Sequence, residues 1–228
     1  MNDIKIVEDP ISGIEWPHTI TEDTFDEETS NIINAAFKEF EDNIKGNEEE
    51  IFPGAMSFMS ILFFPDSSRW NKVANDLWDR TELVHKANRD SMDNLVTLMI
   101  CAQPPNSVYP YHIDVDRKQL TGVCYWGKGK NGTVLKSGDL EVEVSFAHNR
   151  AVWFSNIEDP QNTDEKNVPW HRYYNDSDTY RYTVNINYCS RDYIESFLKE
   201  DNYFNMLGKF LHKGKPSWQG LYAHKPNK

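Results

Sequence analysis

The chain has 228 residues, which is enough to bury a core as one ordinary domain. Hydrophobic residues make up 39% of it and aromatic residues 13%, a composition that excludes a disordered chain. The formal net charge of −12 argues against a sequence-independent grip on DNA or RNA, because such binding needs a surface rich in lysine and arginine. The same acidic balance favours a basic or neutral partner.

The cysteines and the N-terminal residues indicate the cellular compartment. Cys101, Cys124 and Cys189 are odd in number and widely spaced, which predicts reduced thiols rather than a disulfide or a zinc site. Residues 1–10 are acidic and lack the apolar stretch of a signal peptide. The longest apolar run, near residues 58–64, is too short to span a membrane. We therefore expect a cytoplasmic protein with no membrane partner.

The first third of the chain predicts a supporting layer. Residues 1–22 are punctuated by proline and glycine and predict an irregular or edge segment. Residues 24–44 carry apolar side chains at helical spacing, with acidic residues opposite, and predict a helix. Residues 56–64 predict a buried strand, and residues 67–88 predict a second helix capped by a serine.

The next hundred residues predict a β-structure. Continuous apolar runs at residues 94–102 and 120–126 predict buried strands. Further strands, separated by turn residues, are predicted at residues 132–136, 140–146, 151–155, 168–174 and 180–188. About eight short strands in roughly a hundred residues are typical of a sandwich or a jelly roll.

No repeat and no linker divides the chain, so we predict a single domain over residues 1–228. Within it, residues 1–91 form an N-terminal support of helices and a strand, residues 92–189 form the jelly-roll core, and residues 190–228 form a C-terminal helix and a basic tail. The predicted fold class is mainly β with flanking helices (α+β). It is a double-stranded β-helix whose N-terminal helices brace one sheet and which ends in a short helical region.

The hexapeptide YPYHID contains a candidate pair of metal ligands, His112 and Asp114. Side chains two residues apart on a β-strand point to the same face, so these two can share one ion. A non-haem iron commonly takes two histidines and one carboxylate and leaves its other positions open. A single His-x-Asp occurs by chance in many chains, so the prediction needs a third ligand.

His171 is the candidate third ligand, and Arg181 is a candidate partner for a carboxylate. A jelly roll pairs strands that are distant in sequence, so His171 can meet His112 and Asp114 inside the barrel. Arg181 lies ten residues later, beyond the turn cluster at residues 175–178, and we expect its strand to form a hairpin with that of His171. Its guanidinium fork is suited to a bidentate pair with a carboxylate.

This pattern resembles the 2-oxoglutarate- and Fe(II)-dependent oxygenases, over roughly residues 94–188. The run AQPPNSVYPYHID is similar to the strand-turn-strand that enters the site of prolyl 4-hydroxylases, and Thr121 and Tyr125 match a threonine and a tyrosine of the next strand there. The distal segment HRYYNDSDTYR also resembles the aspartyl/asparaginyl β-hydroxylases. The resemblance identifies the class and leaves the subfamily open.

The resemblance implies a role for each matching position. His112, Asp114 and His171 bind Fe(II), which 2-oxoglutarate chelates while O2 takes the remaining position. Arg181 pairs with the far carboxylate of 2-oxoglutarate. Tyr125 hydrogen-bonds that carboxylate, Thr183 adds a second hydrogen bond from the same strand face as Arg181, and Gln103 stands where prolyl hydroxylases usually carry a tyrosine that helps to hold the co-substrate.

For the substrate, the sequence offers two candidate residues. Tyr109 precedes His112 by three residues and can line the entrance, and Tyr173 shares a strand face with His171. Strand packing is the competing interpretation of both residues.

The implied activity is hydroxylation of an amino-acid residue in a peptide or protein, or of a small amino-acid-like molecule, with release of succinate and CO2. The alternatives are a non-catalytic jelly-roll binding module and a cupin-type iron enzyme that does not use 2-oxoglutarate. The nucleic-acid demethylases of the superfamily commonly carry a second arginine at the position of Asn187. The asparagine here argues against a nucleic-acid demethylase. The oligomeric state stays open.

Overall fold

The described part of the chain folds into two antiparallel β-sheets and one long helix. The computed structural model describes residues 4–7, 11–43, 61–63, 73, 77, 95–114, 118–157, 160–189 and 221–223. In chain order, the elements are β1 (Lys5–Val7), β2 (His18–Glu22), α1 (Glu27–Asn43), β3 (Ile61–Phe63), β4 (Leu95–Gln103), β5 (Ser107–His112), β6 (Lys118–Trp126), β7 (Thr133–Ser137), β8 (Leu140–Val144), β9 (Ala151–Ser155), a 3-10 turn (Glu165–Asn167), β10 (Trp170–Asn175), β11 (Arg181–Cys189) and β12 (Leu221–Ala223).

The larger sheet has the strand order β1-β2-β9-β6-β11-β4-β12, with β3 also paired to β4, and the smaller sheet has the order β5-β10-β7-β8. Most neighbours in space, such as β6 with β11 and β5 with β10, are distant in sequence, as in a jelly roll. The core between the sheets contains Val123 and Phe154 from the larger sheet and Leu135 and Val144 from the smaller one. The mainly β architecture predicted from the strand pattern is therefore observed.

The predicted hairpin between the strands of His171 and Arg181 is wrong. β10 pairs with β5 and β7 in the smaller sheet, whereas β11 pairs with β4 and β6 in the larger one. The segment 176–180 is therefore a crossing between the sheets and not a hairpin turn. Asn175 holds this corner, because its side-chain amide donates to the carbonyls of Gln103 (3.2 Å), Pro104 (2.9 Å) and Thr179 (2.7 Å).

Helix α1 packs against the larger sheet, on the side away from the core. Asp26 caps its first turn by accepting from the backbone N–H of Thr29 at 2.8 Å. The Phe37 ring lies 6.2 Å from the Trp126 ring and 5.0 Å from the Tyr182 ring, measured between centroids. Alternation along β6 and β11 sends these two aromatic rings outward and their neighbours inward.

Of the second predicted helix, at residues 67–88, the structure describes Val73 and Leu77, which are helical and fully buried, and the rest lies outside the described residues. Bracing of the sheet by both N-terminal helices stays a prediction, as do the division into regions and the helices of residues 190–211, which also lie outside the described part. The N-terminal edge segment is present as β1 and β2. The tail departs from expectation, since Leu221–Ala223 forms a strand on β4.

Cys101 and Cys124 are buried free thiols, as predicted. No helix within the described ranges is long and apolar enough to cross a membrane.

Candidate functional site

Three potential metal ligands converge where β5 and β10 pair. His112 is the last residue of β5 and lies directly opposite His171 in the antiparallel register. Asp114 follows two residues after the end of β5. One ligand atom from each of the three side chains can be chosen so that all lie within 4.8 Å of one another. The structure therefore brings together the three residues predicted to bind a metal.

The Asp114 carboxylate is oriented by other contacts than those predicted from the sequence. The strand ends at His112, so strand alternation does not orient the carboxylate. Three hydrogen bonds do so instead. Lys118 Nζ donates to Oδ1 at 2.7 Å, Thr121 Oγ1 donates to Oδ2 at 2.5 Å, and the Asn156 amide donates to the Asp114 backbone carbonyl at 2.6 Å.

Both histidines present the same nitrogen toward the cluster. His112 Nδ1 lies 3.0 Å from the carbonyl oxygen of Pro110, and His171 Nδ1 lies 3.0 Å from that of Pro169. A neutral imidazole that donates from Nδ1 keeps the lone pair of Nε2 for a metal. Two such nitrogens and one carboxylate oxygen are the donor set that suits a non-haem iron, so the residues present fit the implied metal.

The electrostatic surroundings keep these donors deprotonated. Burial is the main cause that lowers the pKa of His171 to about 4, and burial also lowers the pKa of His112. Burial alone would raise the pKa of Asp114, but Lys118, His171 and the hydrogen bonds from Lys118 and Thr121 outweigh it and lower this pKa to about 2. Metal ligands bind in their deprotonated forms, so the cluster is in its binding-competent state at neutral pH.

These pKa shifts predict an acid-sensitive fold. The folded-state pKa of His171 lies below the ordinary value of 6.5, so its stabilising contribution is complete above pH 6.5 and is lost as the pH falls toward 4. Protonation of Asp114 causes a further loss of unfolding free energy as the pH falls from 3.8 to about 2. For the metal-free protein, we expect His171 to account for roughly 2 to 3 kcal/mol of the decrease in unfolding free energy between about pH 7 and pH 4.5.

Urea unfolding in the presence of a chelator measures this decrease. His171→Gln removes the titrating group and should flatten the pH dependence by that amount. An identical pH dependence in the wild type and the variant would contradict the assignment to His171.

Arg181 is the second notable group inside the barrel. Its side chain is 2% exposed, and its guanidinium lies above the rings of Tyr125 (5.5 Å) and Tyr173 (5.4 Å). Nε donates to the carbonyl of Asn131 at 2.8 Å, and Nη2 donates to the carbonyl of Gly132 at 3.1 Å. Across the described ranges, no carboxylate forms an ion pair with Arg181. A buried cation without a counter-ion is costly, so the surroundings of Arg181 are suited to an anion.

The other predicted co-substrate residues surround this guanidinium. Arg181 Nη1 donates to Gln103 Oε1 at 3.4 Å, directly across the β4–β11 pair. Tyr125 lies opposite Thr183 in the β6–β11 register, and its hydroxyl accepts from the backbone N–H of Thr133 at 3.0 Å. Thr183 donates to Asn185 Oδ1 at 2.9 Å. The residues are assembled in one place, and their roles toward a co-substrate stay predictions.

No protein-family model and no curated protein sequence matches the chain. Solved structures do match. A prolyl-4-hydroxylase from Pseudomonas putida aligns with a TM-score of 0.55 and 14% identity, over 78% of this chain and 94% of that one. A 2OG-Fe(II) oxygenase family protein from Burkholderia pseudomallei aligns with a TM-score of 0.51 and 11% identity, over 75% of this chain and 84% of that one.

A prolyl hydroxylase from Trichoplax adhaerens, in complex with a peptide fragment of the oxygen degradation domain of hypoxia inducible factor, aligns with a TM-score of 0.53 and 13% identity. That alignment covers 80% of this chain and 87% of that one. The chain has the 2OG-Fe(II) oxygenase fold. The resemblance noted in the sequence is thus supported by structures that share little sequence with it.

Two tyrosines connect the two halves of the site in this oxygenase fold. Tyr109 stacks on Tyr173 with ring centroids 4.9 Å apart and an angle of 11° between the planes. The Tyr109 ring also meets the His112 ring edge-on at 4.6 Å. Tyr173 therefore contacts Arg181 on one side and, through Tyr109, the histidine cluster on the other. Whether either residue meets a substrate stays a prediction.

Sequence reasoning missed the residues that orient the predicted ones. Lys118 and Asn156 hold Asp114, while Pro110 and Pro169 each place a carbonyl two residues before a histidine. A signal was present for the prolines, because both histidines occur as Pro-aromatic-His. No comparable signal marks Asn156, since the oxygenase fold alone brings the end of β9 next to Asp114.

Proposed function

We propose that the protein is an Fe(II)- and 2-oxoglutarate-dependent oxygenase. Its substrate would be an amino-acid residue of a peptide or protein, or a small amino-acid-like molecule. One observation carries the proposal: a two-histidine, one-carboxylate cluster and a buried guanidinium without a described carboxylate partner occupy the same barrel interior. A structural metal site alone has no use for the second of these features.

In this proposal, His112, Asp114 and His171 hold the iron, and Arg181 receives the far carboxylate of 2-oxoglutarate. When bound there, iron would supply the activation of O2: one oxygen atom would enter a C–H bond of the substrate and the other would enter succinate, as 2-oxoglutarate loses CO2. The protein contributes ligation, orientation and exclusion of water. The Phe154 ring, whose centroid lies 4.5 Å from that of His171, covers the inner side of the imidazole.

The hydrogen bonds of Arg181 favour its role as an anion anchor. Nε and one Nη2 hydrogen are directed to backbone carbonyls of residues 131 and 132. The Nη1 contact with Gln103 and the Nη2 contact with Thr133 are long, at 3.4 and 3.5 Å. The anchored part fixes the plane of the guanidinium, while the weakly used donors remain for a carboxylate, which forms shorter and stronger charge-assisted bonds.

Tyr109 and Tyr173 are the proposed contacts for the substrate. Their stacked rings adjoin His112, which places a flat apolar wall beside the candidate metal ligands. The peptide-bound structure of the Trichoplax adhaerens prolyl hydroxylase supports a peptide or protein as the class of substrate. We also propose a cytoplasmic location, on the basis of the free buried thiols.

Anaerobic addition of Fe(II) and 2-oxoglutarate tests the proposal. The wild type should develop a weak visible charge-transfer absorption band, and His171→Ala should lose it together with metal binding. Lys130→Met, which changes an exposed lysine, is the matched control and should behave as the wild type does. Metal binding by the wild type without this band would refute the proposed co-substrate and favour a non-catalytic module or a cupin-type enzyme.

A further inference from the structure

Lys118 makes an unusual contact for a residue next to a candidate metal site. It is the first residue of β6, and its ammonium lies 2.7 Å from Asp114 Oδ1. The two side chains are 22% and 11% exposed. Solvent therefore screens this pair less than the exposed pairs of the surface, such as Lys130–Asp176 with 65% and 48% exposure.

The orientation of Asp114 does not rest on Lys118 alone. Thr121 donates to the other carboxylate oxygen, and Asn156 donates to the backbone carbonyl of the same residue. Removal of the ammonium leaves both of these bonds in place. The distinctive contribution of Lys118 is therefore its positive charge.

That charge and a metal ion share one carboxylate. In the metal-free protein, the Lys118 ammonium compensates the buried negative charge of Asp114, which would otherwise be costly. When a divalent cation binds to His112, Asp114 and His171, the ammonium either stays, and repels the metal at close range, or leaves, and gives up its ion pair. In both cases, metal binding becomes less favourable.

We propose that Lys118 is the counter-ion of Asp114 in the metal-free protein and that it lowers the affinity of the site for a divalent cation. The inference rests on the proposed function only in taking these three residues as the metal ligands. It assigns Lys118 two effects of opposite sign: stabilisation of the empty site and weakening of the filled one. A residue that merely supports the local structure would strengthen both.

Titration of the metal-free protein with Co(II) alone tests this assignment, by calorimetry and by the visible absorption of bound Co(II). Lys118→Met keeps the length of the side chain and removes the charge. We expect it to bind Co(II) at least about tenfold more tightly than the wild type, because the competing cation is gone. We also expect a lower melting temperature for metal-free Lys118→Met, because Asp114 has lost its counter-ion.

Two controls make the result specific. Lys118→Arg keeps the charge and should retain the wild-type Co(II) affinity, whereas Lys130→Met removes an exposed lysine and should change neither quantity. Equal or weaker Co(II) binding by Lys118→Met would overturn the inference while leaving the proposed function intact. Failure of the wild type to bind Co(II) through His171, judged by an unchanged His171→Ala, would remove the metal site and both proposals with it.

Discussion

Replacement of Arg181 by methionine is expected to weaken 2-oxoglutarate binding strongly while metal binding persists. In the proposed function, the guanidinium of Arg181 receives the far carboxylate, and the residue is 2% exposed. Loss of one partner of a buried ion pair costs about 3 to 5 kcal/mol, which corresponds to an affinity at least roughly a hundredfold weaker. Calorimetric titration of 2-oxoglutarate into the Mn(II)-loaded protein measures the change, and titration with Mn(II) alone provides the second readout.

The substitution should change the stability of the empty protein little. Methionine removes a buried charge that has no carboxylate partner in the described ranges, which favours folding, but it leaves the carbonyls of residues 131 and 132 without their donor, which opposes folding. We expect the free energy of unfolding to stay within about 2 kcal/mol of the wild-type value. Arg181→Lys keeps the charge without the planar fork and should bind 2-oxoglutarate with intermediate affinity. Wild-type affinity in Arg181→Met would contradict the anchor role and favour an iron enzyme of the cupin type.

The second large effect is expected at Gly132, a residue that holds Arg181 through its backbone. A Cβ at this position would lie 1.6 Å from the backbone carbonyl oxygen of Val144 on the neighbouring strand β8. Neither atom belongs to a flexible side chain, so Gly132→Ala forces β7 and β8 apart. We expect a loss of more than about 3 kcal/mol in unfolding free energy. The same displacement moves the carbonyl that accepts from Arg181 Nη2 and should weaken 2-oxoglutarate binding.

Gly127→Ala is the matched control for this prediction. Gly127 has a positive φ of 72° and nothing within 4 Å of an added Cβ, so alanine there meets backbone strain without a clash. We expect a cost of about 1 kcal/mol. Urea unfolding compares the two variants, and equal losses would contradict the role given to the close approach of β7 and β8.

Period-two alternation explains why much of the site was predictable from the sequence. Along β11, Arg181 and Thr183 take inward positions, and the outward positions are filled by residues such as Tyr182. The same alternation placed Tyr173 with His171. Because the backbone of a strand sets the direction of each side chain, the spacing of residues on a strand predicts which of them share a face.

Other features were not predictable because they depend on contacts between distant segments. The turn residues between Asn175 and Arg181 are equally compatible with a hairpin and with a crossing between sheets. The side chain of Asn175 favours the crossing by bonding to the backbone of Gln103 and Pro104, more than seventy positions earlier in the sequence. Asp114 lies beyond the end of its strand, so its direction depends on donors that only the folded chain supplies.

The placement of β10 and β11 in opposite sheets has a consequence for ligand selectivity. Arg181 starts from the larger sheet, but its guanidinium reaches the smaller one, where it bonds to the carbonyls just before β7 and lies 5.4 Å from the Tyr173 ring. Tyr173 follows His171 by two residues on β10. A ligand that joined the metal cluster to the guanidinium would therefore lie along β10, and the rise of about 3.3 Å per residue of that strand would limit its length.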